Sequence, residues 1–317
     1  MRNSVDVLFI TYACLPRDTG DPAVYDPIRL KVAGRTATLP VLRDLAAGRE
    51  PRKTSGGTGG GFHLPPVLTP VFLEDYLRRR GLRVLTLPCL ETHAEQVREA
   101  VARGVGLIAL STTWVPLPGG AGYAREAAAE VRRLAPGVPV LAGGVGVLKG
   151  MRAREMIAAG RLPGYTEEQL ADEYLLIDAA RDRDFDVIVV SEGGEAALAA
   201  VAGRIRDGRD YRDLPNLAMP GKDGSRSTRT EPDNIDLDTE LVDWREHVEE
   251  LGPFDAPVRT AVGCPFHCEF CDFAGLHKPR FRSLESLIAE MRTLAEARPP
   301  PRLVYFTDDN VVMTRKR

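Results

Sequence analysis

A chain of 317 residues with 44% hydrophobic and 27% charged side chains has material for about two folded domains, and it is too balanced for a disordered or fibrous protein. A formal net charge of -3 offers no basic field for nucleic acid, and five cysteines, three of them clustered, exclude a disulfide framework in favour of a metal site in a reducing compartment. The segment from Met1 to Asp6 lacks a signal-peptide pattern and no uninterrupted apolar stretch is long enough to span a bilayer, so a cytoplasmic protein without a membrane partner is expected.

Taken in chain order, Val5–Thr11 reads as a buried strand. Tyr12–Pro66 is a long stretch rich in Gly and Pro, with glycines crowded between Ser55 and Gly61. No Gly-Lys-Ser/Thr follows that run, so a loop fits better than a phosphate cradle. Val67–Arg80 reads as a helix with Phe72, Leu73, Tyr76 and Leu77 on one face and Gly81 as its stop. Strand Leu82–Leu87, helix Glu91–Arg103, strand Leu107–Thr112, helix Tyr123–Leu134 and strand Val138–Ala142 follow. After Gly143 and Gly144, the charged segment 147–183 reads as a lid or small helical insert. Strand Asp186–Ser191 then leads through Glu192, Gly193, Gly194 and Glu195 into a helix ending near Arg206.

Alternating strands and helices of this length imply a doubly wound parallel sheet over residues 1–213, with ligands at the carboxyl ends of its strands. Alone, such a sheet specifies a cleft of nucleotide or cofactor size. Asn216–Thr230 resembles a hairpin turning at Asp223-Gly224, and Glu231–Pro257 reads as an acidic, irregular linker, so 214–256 joins two domains. The second domain, 257–317, opens with strand Val258–Val262 and a cysteine loop. Helix Ser283–Ala297 follows, with Ser283 as N-cap, and then strand Leu303–Thr307.

The loop carries Cys264, Cys268 and Cys271 in a C-x3-C-x2-C spacing, with Phe270 directly before the third cysteine. Three thiolates on one short loop suit three corners of an iron–sulfur cube, which ordinarily takes four. The other two cysteines, Cys14 and Cys89, lie far upstream. Zinc held by the three cysteines with His267 or His277 is the alternative, since Cys3His is a structural zinc set.

The cysteine segment resembles the signature of the radical SAM superfamily. The order of elements before it is similar to the cobalamin-binding radical SAM enzymes. That likeness rests on Leu110 to Thr113 after the third strand, Ala142 to Gly144 after the fourth, Glu192 to Glu195 after the fifth, Leu214 to Leu217 before the hairpin and Asp308 to Asn310 after the last strand. It implies a cobalamin-binding sheet followed by the start of a partial (β/α) barrel. It implies a [4Fe-4S] cluster on Cys264, Cys268 and Cys271, with S-adenosylmethionine (SAM) on the open iron and cleaved to a 5′-deoxyadenosyl radical. Methyl transfer from cobalamin to an unactivated carbon of a small-molecule substrate would follow, with electrons from an external donor such as a flavodoxin or ferredoxin.

The same resemblance places Phe270 near the SAM adenine and Asp308, Asp309 and Asn310 near its amino group, although Asp and Asn also commonly cap helices. It places Ser111, Thr112, Thr113, Gly143, Gly144, Glu192 and Gly193 around the corrin. There the glycines remove bulk and the hydroxyls bond the corrin amides, or Gly143-Gly144 simply makes a tight turn. Trp114 either stacks on the macrocycle or caps the core. The region after the first strand has Asp18 to Asp21 and no histidine for axial ligation, with His63 nearest and Cys14 close to the strand. Methylases of this kind generally lack that histidine too. The chain stops at Arg317 just after its second barrel strand, so a truncated fragment is expected. Besides the enzyme, a non-catalytic cobalamin or iron–sulfur module and a zinc-stabilised interaction protein stay open.

Overall fold

The computed structural model describes residues 4–11, 31–32, 35–36, 68–87, 90–113, 120–161, 164, 166–191, 193–220, 226–232, 235–247, 255–266, 268 and 278–308. The chain forms two compact units, Met1–Ala13 with Leu64–Arg317, and Cys14–His63. The elements in order are β1 (Val5–Ile10), β2 (Lys31–Val32), β3 (Arg35–Thr36), α1 (Leu68–Arg79), β4 (Val84–Leu87), α2 (Leu90–Arg103), β5 (Val105–Ser111), α3 (Gly120–Leu134), β6 (Val140–Gly143), α4 (Val145–Ala158), α5 (Glu167–Glu173), β7 (Val187–Val189), α6 (Glu195–Arg206), β8 (Leu217–Met219), β9 (Arg226–Ser227), a 3-10 turn (Trp244–Glu246), β10 (Asp255–Val258), β11 (Ala261–Val262), β12 (Arg280–Phe281), α7 (Leu284–Glu296) and β13 (Leu303–Phe306). In the smaller unit the described residues are the antiparallel pair β2–β3.

In the larger unit, seven strands form a sheet in the order β4-β1-β5-β6-β7-β8-β9. The first five are parallel, and the hairpin β8–β9 adds antiparallel to β7. The apolar run of β1 is what a strand covered on both faces requires, and Val7, Leu8 and Ile10 are fully buried. Val7 and Phe9 share one core with Phe72 and Leu77 of α1 and Leu198 and Val201 of α6. The alternate residues Leu8, Ile10, Ile108 and Leu110 are equally buried, and α2 lies against β1 and β5.

Asp6 sits within β1 and is buried, which a carboxylate tolerates only with partners. Arg83 supplies them: its main-chain N and Nε donate to Oδ2 at 2.8 and 3.0 Å, and Nη2 donates to Oδ1 at 2.8 Å. The side-chain bond from Arg83 holds the Asp6 carboxyl below the usual carboxylate value, against the opposing effect of burial. A depressed folded pKa contributes stability that is present above the unfolded value of about 3.9 and lost as pH falls through the folded one. Asp6→Asn is therefore expected to lower stability at pH 7, and the gap to wild type to close below about pH 4 in urea titrations.

The described residues of segment 147–183 carry two helices, as a helical insert would. Helix α4 is the crossover from β6 to β7, and α5 starts on a capping box in which Gln169 N donates to Thr166 Oγ1 at 3.2 Å and Thr166 N to Gln169 Oε1 at 2.9 Å. Leu170, Ala171 and Leu176 make a small core of their own. Arg125 of α3 ties the segment down, donating from Nε to the fully buried Asp182 at 2.7 Å.

Residues 235–247 are not a loose linker: Ile235, Leu237, Val242 and Trp244 are buried in the same core as the sheet. The strand expected at Val258–Val262 is in fact two. β10 ends at Val258 and pairs parallel with β13, whereas β11 pairs antiparallel with β12. Residues 259 and 260 break it because Arg259 O and Thr260 N go to the side chains of Arg282 and Asp308, while Thr260 O takes the main-chain N of Arg282. Ser283 caps α7 as expected, its Oγ accepting from Ser286 N at 3.1 Å. Phe281, Leu284, Ile288, Leu303 and Phe306 are exposed on this part of the chain. Among the described residues no closed barrel forms, and no helix is long and apolar enough to cross a membrane.

Candidate metal and cofactor site

Two groups of expected residues are brought into order by the fold. The first lies at the carboxyl ends of adjacent central strands. β5 and β6 pair so that Ser111 faces Gly143. Thr112 continues the pairing, donating from N and Oγ1 to Gly143 O at 2.8 and 3.1 Å. Thr113 N donates to Ser111 Oγ at 3.2 Å. Ser111 and Thr112 are buried, so their hydroxyls serve this strand end first and offer little surface to a ligand.

The glycines are equally constrained. Gly144 has φ 118 and ψ -177, a conformation open essentially to glycine, and a Cβ there would sit 2.5 Å from Thr113 Oγ1. A Cβ at Gly143 would meet Val189 at 3.3 Å. The pair is thus needed for the tight turn from β6 into α4, and the space next to it is filled by the chain itself. Gly193 lies after β7, on the neighbour of β6, before the left-handed N-cap Gly194 of α6. Glu192 and Trp114 lie outside the described residues, as do Cys14 and His63.

The second group follows β11. Gly263, at φ 82, turns the chain into Cys264, which is partly buried, while Cys268 is exposed. Neither is in a disulfide. Two thiols on one five-residue span are a soft donor set that suits iron–sulfur ligation. Cys271, Phe270, His267, His277, Asp309 and Asn310 lie outside the described residues, and no cluster of three metal-ligating side chains forms within them.

The turn ahead of the cysteines is held by groups that the sequence reading did not single out. Arg282 Nη1 donates to Arg259 O at 3.0 Å, and its main-chain N to Thr260 O at 2.9 Å. Arg282 is anchored by Glu290 at 2.5 Å, and Glu290 also accepts from Trp244 Nε1 at 3.1 Å. Three residues beyond Trp244, the buried His247 meets Asp75 of α1 through Nε2 at 2.8 Å, and Asp75 accepts from Asp243 N at 2.6 Å. The guanidinium of Arg259 stacks on Phe72 of α1 at 4.4 Å, and burial pushes its pKa down against the opposing charge of Glu195. A tryptophan and three aliphatic residues inside a nominally acidic linker were the signal for this network. Asp308, expected near SAM, turns its carboxylate toward Thr260 and Ala261.

No protein-family model matches the chain. Over 61 residues it is 39% identical to the hopanoid C-2 methylase of Rhodopseudomonas palustris, a match covering 19% of this chain and 11% of that one. Over 94 residues it is 35% identical to the anaerobic magnesium-protoporphyrin IX monomethyl ester cyclase of Cereibacter sphaeroides, covering 27% and 15%. Among solved structures, the radical S-adenosylmethionine methyltransferase TsrM from Kitasatospora setae, with tryptophan substrate and a SAM analogue bound, superposes with a TM-score of 0.54 at 18% identity, covering 97% of this chain and 48% of that one. The same enzyme with cobalamin and a [4Fe-4S] cluster bound gives 0.52 at 16% identity. The cobalamin-dependent S-adenosylmethionine radical enzyme OxsB gives 0.53 at 16% identity, covering 81% and 33%. The chain therefore spans less than half the length of these proteins, and the solved structures share its fold.

Proposed function

We propose that this chain, which has the fold of a cobalamin-binding radical SAM protein, serves cobalamin-dependent methyl transfer to an unactivated carbon of a small molecule. In this reading Cys264, Cys268 and Cys271 hold a [4Fe-4S] cluster, SAM occupies its open iron, and cobalamin sits at the carboxyl ends of β5, β6 and β7. When bound, these groups supply one-electron cleavage of SAM and a transferable methyl group. The chain's own share is to bind, orient and exclude water. The backbone turn at 259–261 aims the cysteine loop, and the packed ends of β5 and β6 give the corrin a fixed floor. A flavodoxin or ferredoxin would bring the electron.

One observation carries the reading: Cys264 and Cys268 follow strand β10, whose Ala256 and Val258 lie in the same core as a parallel sheet of cobalamin-domain type. The test is anaerobic reconstitution with iron, sulfide and hydroxocobalamin. About four irons per chain are expected, with one cobalamin and an electron paramagnetic resonance (EPR) signal of the reduced cluster that changes when SAM is added. Alanine at Cys264, Cys268 or Cys271 should abolish iron retention and leave cobalamin bound. One zinc per chain with no cluster would overturn the reading. Cluster and cobalamin bound without any response to SAM would reduce the chain to a cofactor-binding module.

A further inference from the structure

The geometry points to Asp308 as a positioning residue that fixes the cysteine loop through the backbone ahead of it; the link to a cluster rests on the reading above. Asp308 follows β13, and its carboxylate turns back onto the neighbouring strand. Thr260 N donates to Oδ1 at 2.6 Å, Ala261 N donates to the same oxygen at 2.9 Å, and the Thr260 hydroxyl donates to Oδ2. Three of about four acceptor sites of a carboxylate are thereby used.

The turn it holds lies between β10 and β11, shortly before Cys264. Its carbonyls are held from the other side by Arg282, at Arg259 O and Thr260 O. Arg259 O, Thr260 N, Thr260 O and Ala261 N thus have partners 22 to 48 residues away in sequence. Such a turn has one conformation only while both partners are present. The loop of Cys264 and Cys268 starts from its end, through the left-handed Gly263. A carboxylate engaged in this way shapes the backbone that presents the thiolates. It is not the group that meets SAM.

The distinction is testable because asparagine and alanine differ for the two roles. In Asp308→Asn, Oδ1 can keep both amide bonds and the new amide nitrogen can donate to Thr260 Oγ1. A positioning role therefore survives Asn and fails with Ala, whereas a charge contact to the SAM amino group fails with both. The first readout is hydrogen exchange of the metal-free protein. At Thr260 and Ala261, D308A should exchange about ten-fold faster or more, D308N close to wild type, with β1 and β5 amides unchanged in both. The second is iron per chain after reconstitution, which should fall below half in D308A and be retained in D308N, with the SAM-induced EPR change intact in D308N.

Wild-type exchange at Thr260 and Ala261 in D308A would overturn the inference. So would full iron in both variants with the SAM response lost in both. If D308A does not fold, D308N and Thr260→Val carry the test: accelerated exchange at Ala261 in D308N overturns it, and wild-type exchange there together with a faster amide at position 260 in T260V supports it. A wild-type protein that binds no cluster defeats the cluster reading alone, since the exchange measurement needs no metal.

Discussion

Replacing Glu290 with alanine is expected to remove about 3–5 kcal/mol of folding stability, the cost of breaking a buried ion pair from one side. The side chains of Arg282 and Glu290 are only 4% and 2% exposed. Glu290 accepts from Arg282 Nη1 at 2.5 Å and from Trp244 Nε1 at 3.1 Å. Its loss takes the counter-charge from a buried guanidinium and removes an acceptor of the indole N–H. Arg282 keeps Ser286 Oγ at 3.1 Å from Nε and 2.9 Å from Nη2, and Arg259 O at 3.0 Å from Nη1, bonds that occupy its three nitrogens without neutralising the charge.

Urea unfolding followed by tryptophan fluorescence measures the loss, and a shift under about 1 kcal/mol would show that the pair is not a closed buried network. The double variant Arg282→Met with Glu290→Leu should be closer to wild type in stability than E290A, because apolar replacements remove the desolvation cost with the charges. It should still retain less iron, since the bond from Arg282 to Arg259 O is gone. Stability and cofactor loading would then come apart, as expected where one residue supports both.

Gly144→Ala is the second substitution of large effect, with an expected loss of about 3 kcal/mol from backbone strain and overpacking together. The methyl group would lie 2.5 Å from Thr113 Oγ1 and 3.0 Å from Thr113 N, at a φ of 118 that side chains avoid. Relief requires the end of β5 to move, so cobalamin binding should weaken along with stability. Gly203→Ala is the control: it lies inside α6 with nothing within 4 Å of a Cβ, and it should be neutral or stabilising by up to about 1 kcal/mol. Equal urea midpoints for G144A and wild type would show that the turn from β6 into α4 accommodates a side chain.

The parallel sheet was legible because its strands are covered on both faces and so appear as apolar runs at Val5–Thr11, Leu107–Thr112 and Asp186–Ser191. Periodicity likewise placed α1, with Phe72, Leu73, Tyr76 and Leu77 all buried. The N-cap at Ser283 needed only local chemistry. What stayed hidden depends on partners far away in sequence. The break at residues 259–260 is dictated by Asp308 and Arg282, and no pattern within Val258–Val262 announces it. Residues 235–247 look polar because Asp and Glu alternate with the four buried apolar residues, and composition averages the two together. At the strand ends the small size of Gly143 and Gly144 answers to internal packing first. That is visible only when Val189 and Thr113 are seen to fill the space at Gly143 and Gly144.

The pairing of β10 with β13 also sets an order of events during synthesis. Cys268 leaves the ribosome 40 residues before Asp308, the residue that holds the turn ahead of it. At about 5–20 residues per second the thiols wait roughly 2–8 s before their anchor exists. Through that interval they are open to copper, zinc and oxidants on a chain with no fixed geometry to select among them. If the cysteines hold the proposed cluster, its loading belongs after translation of β13, and protein from iron-starved cells should then carry other metals.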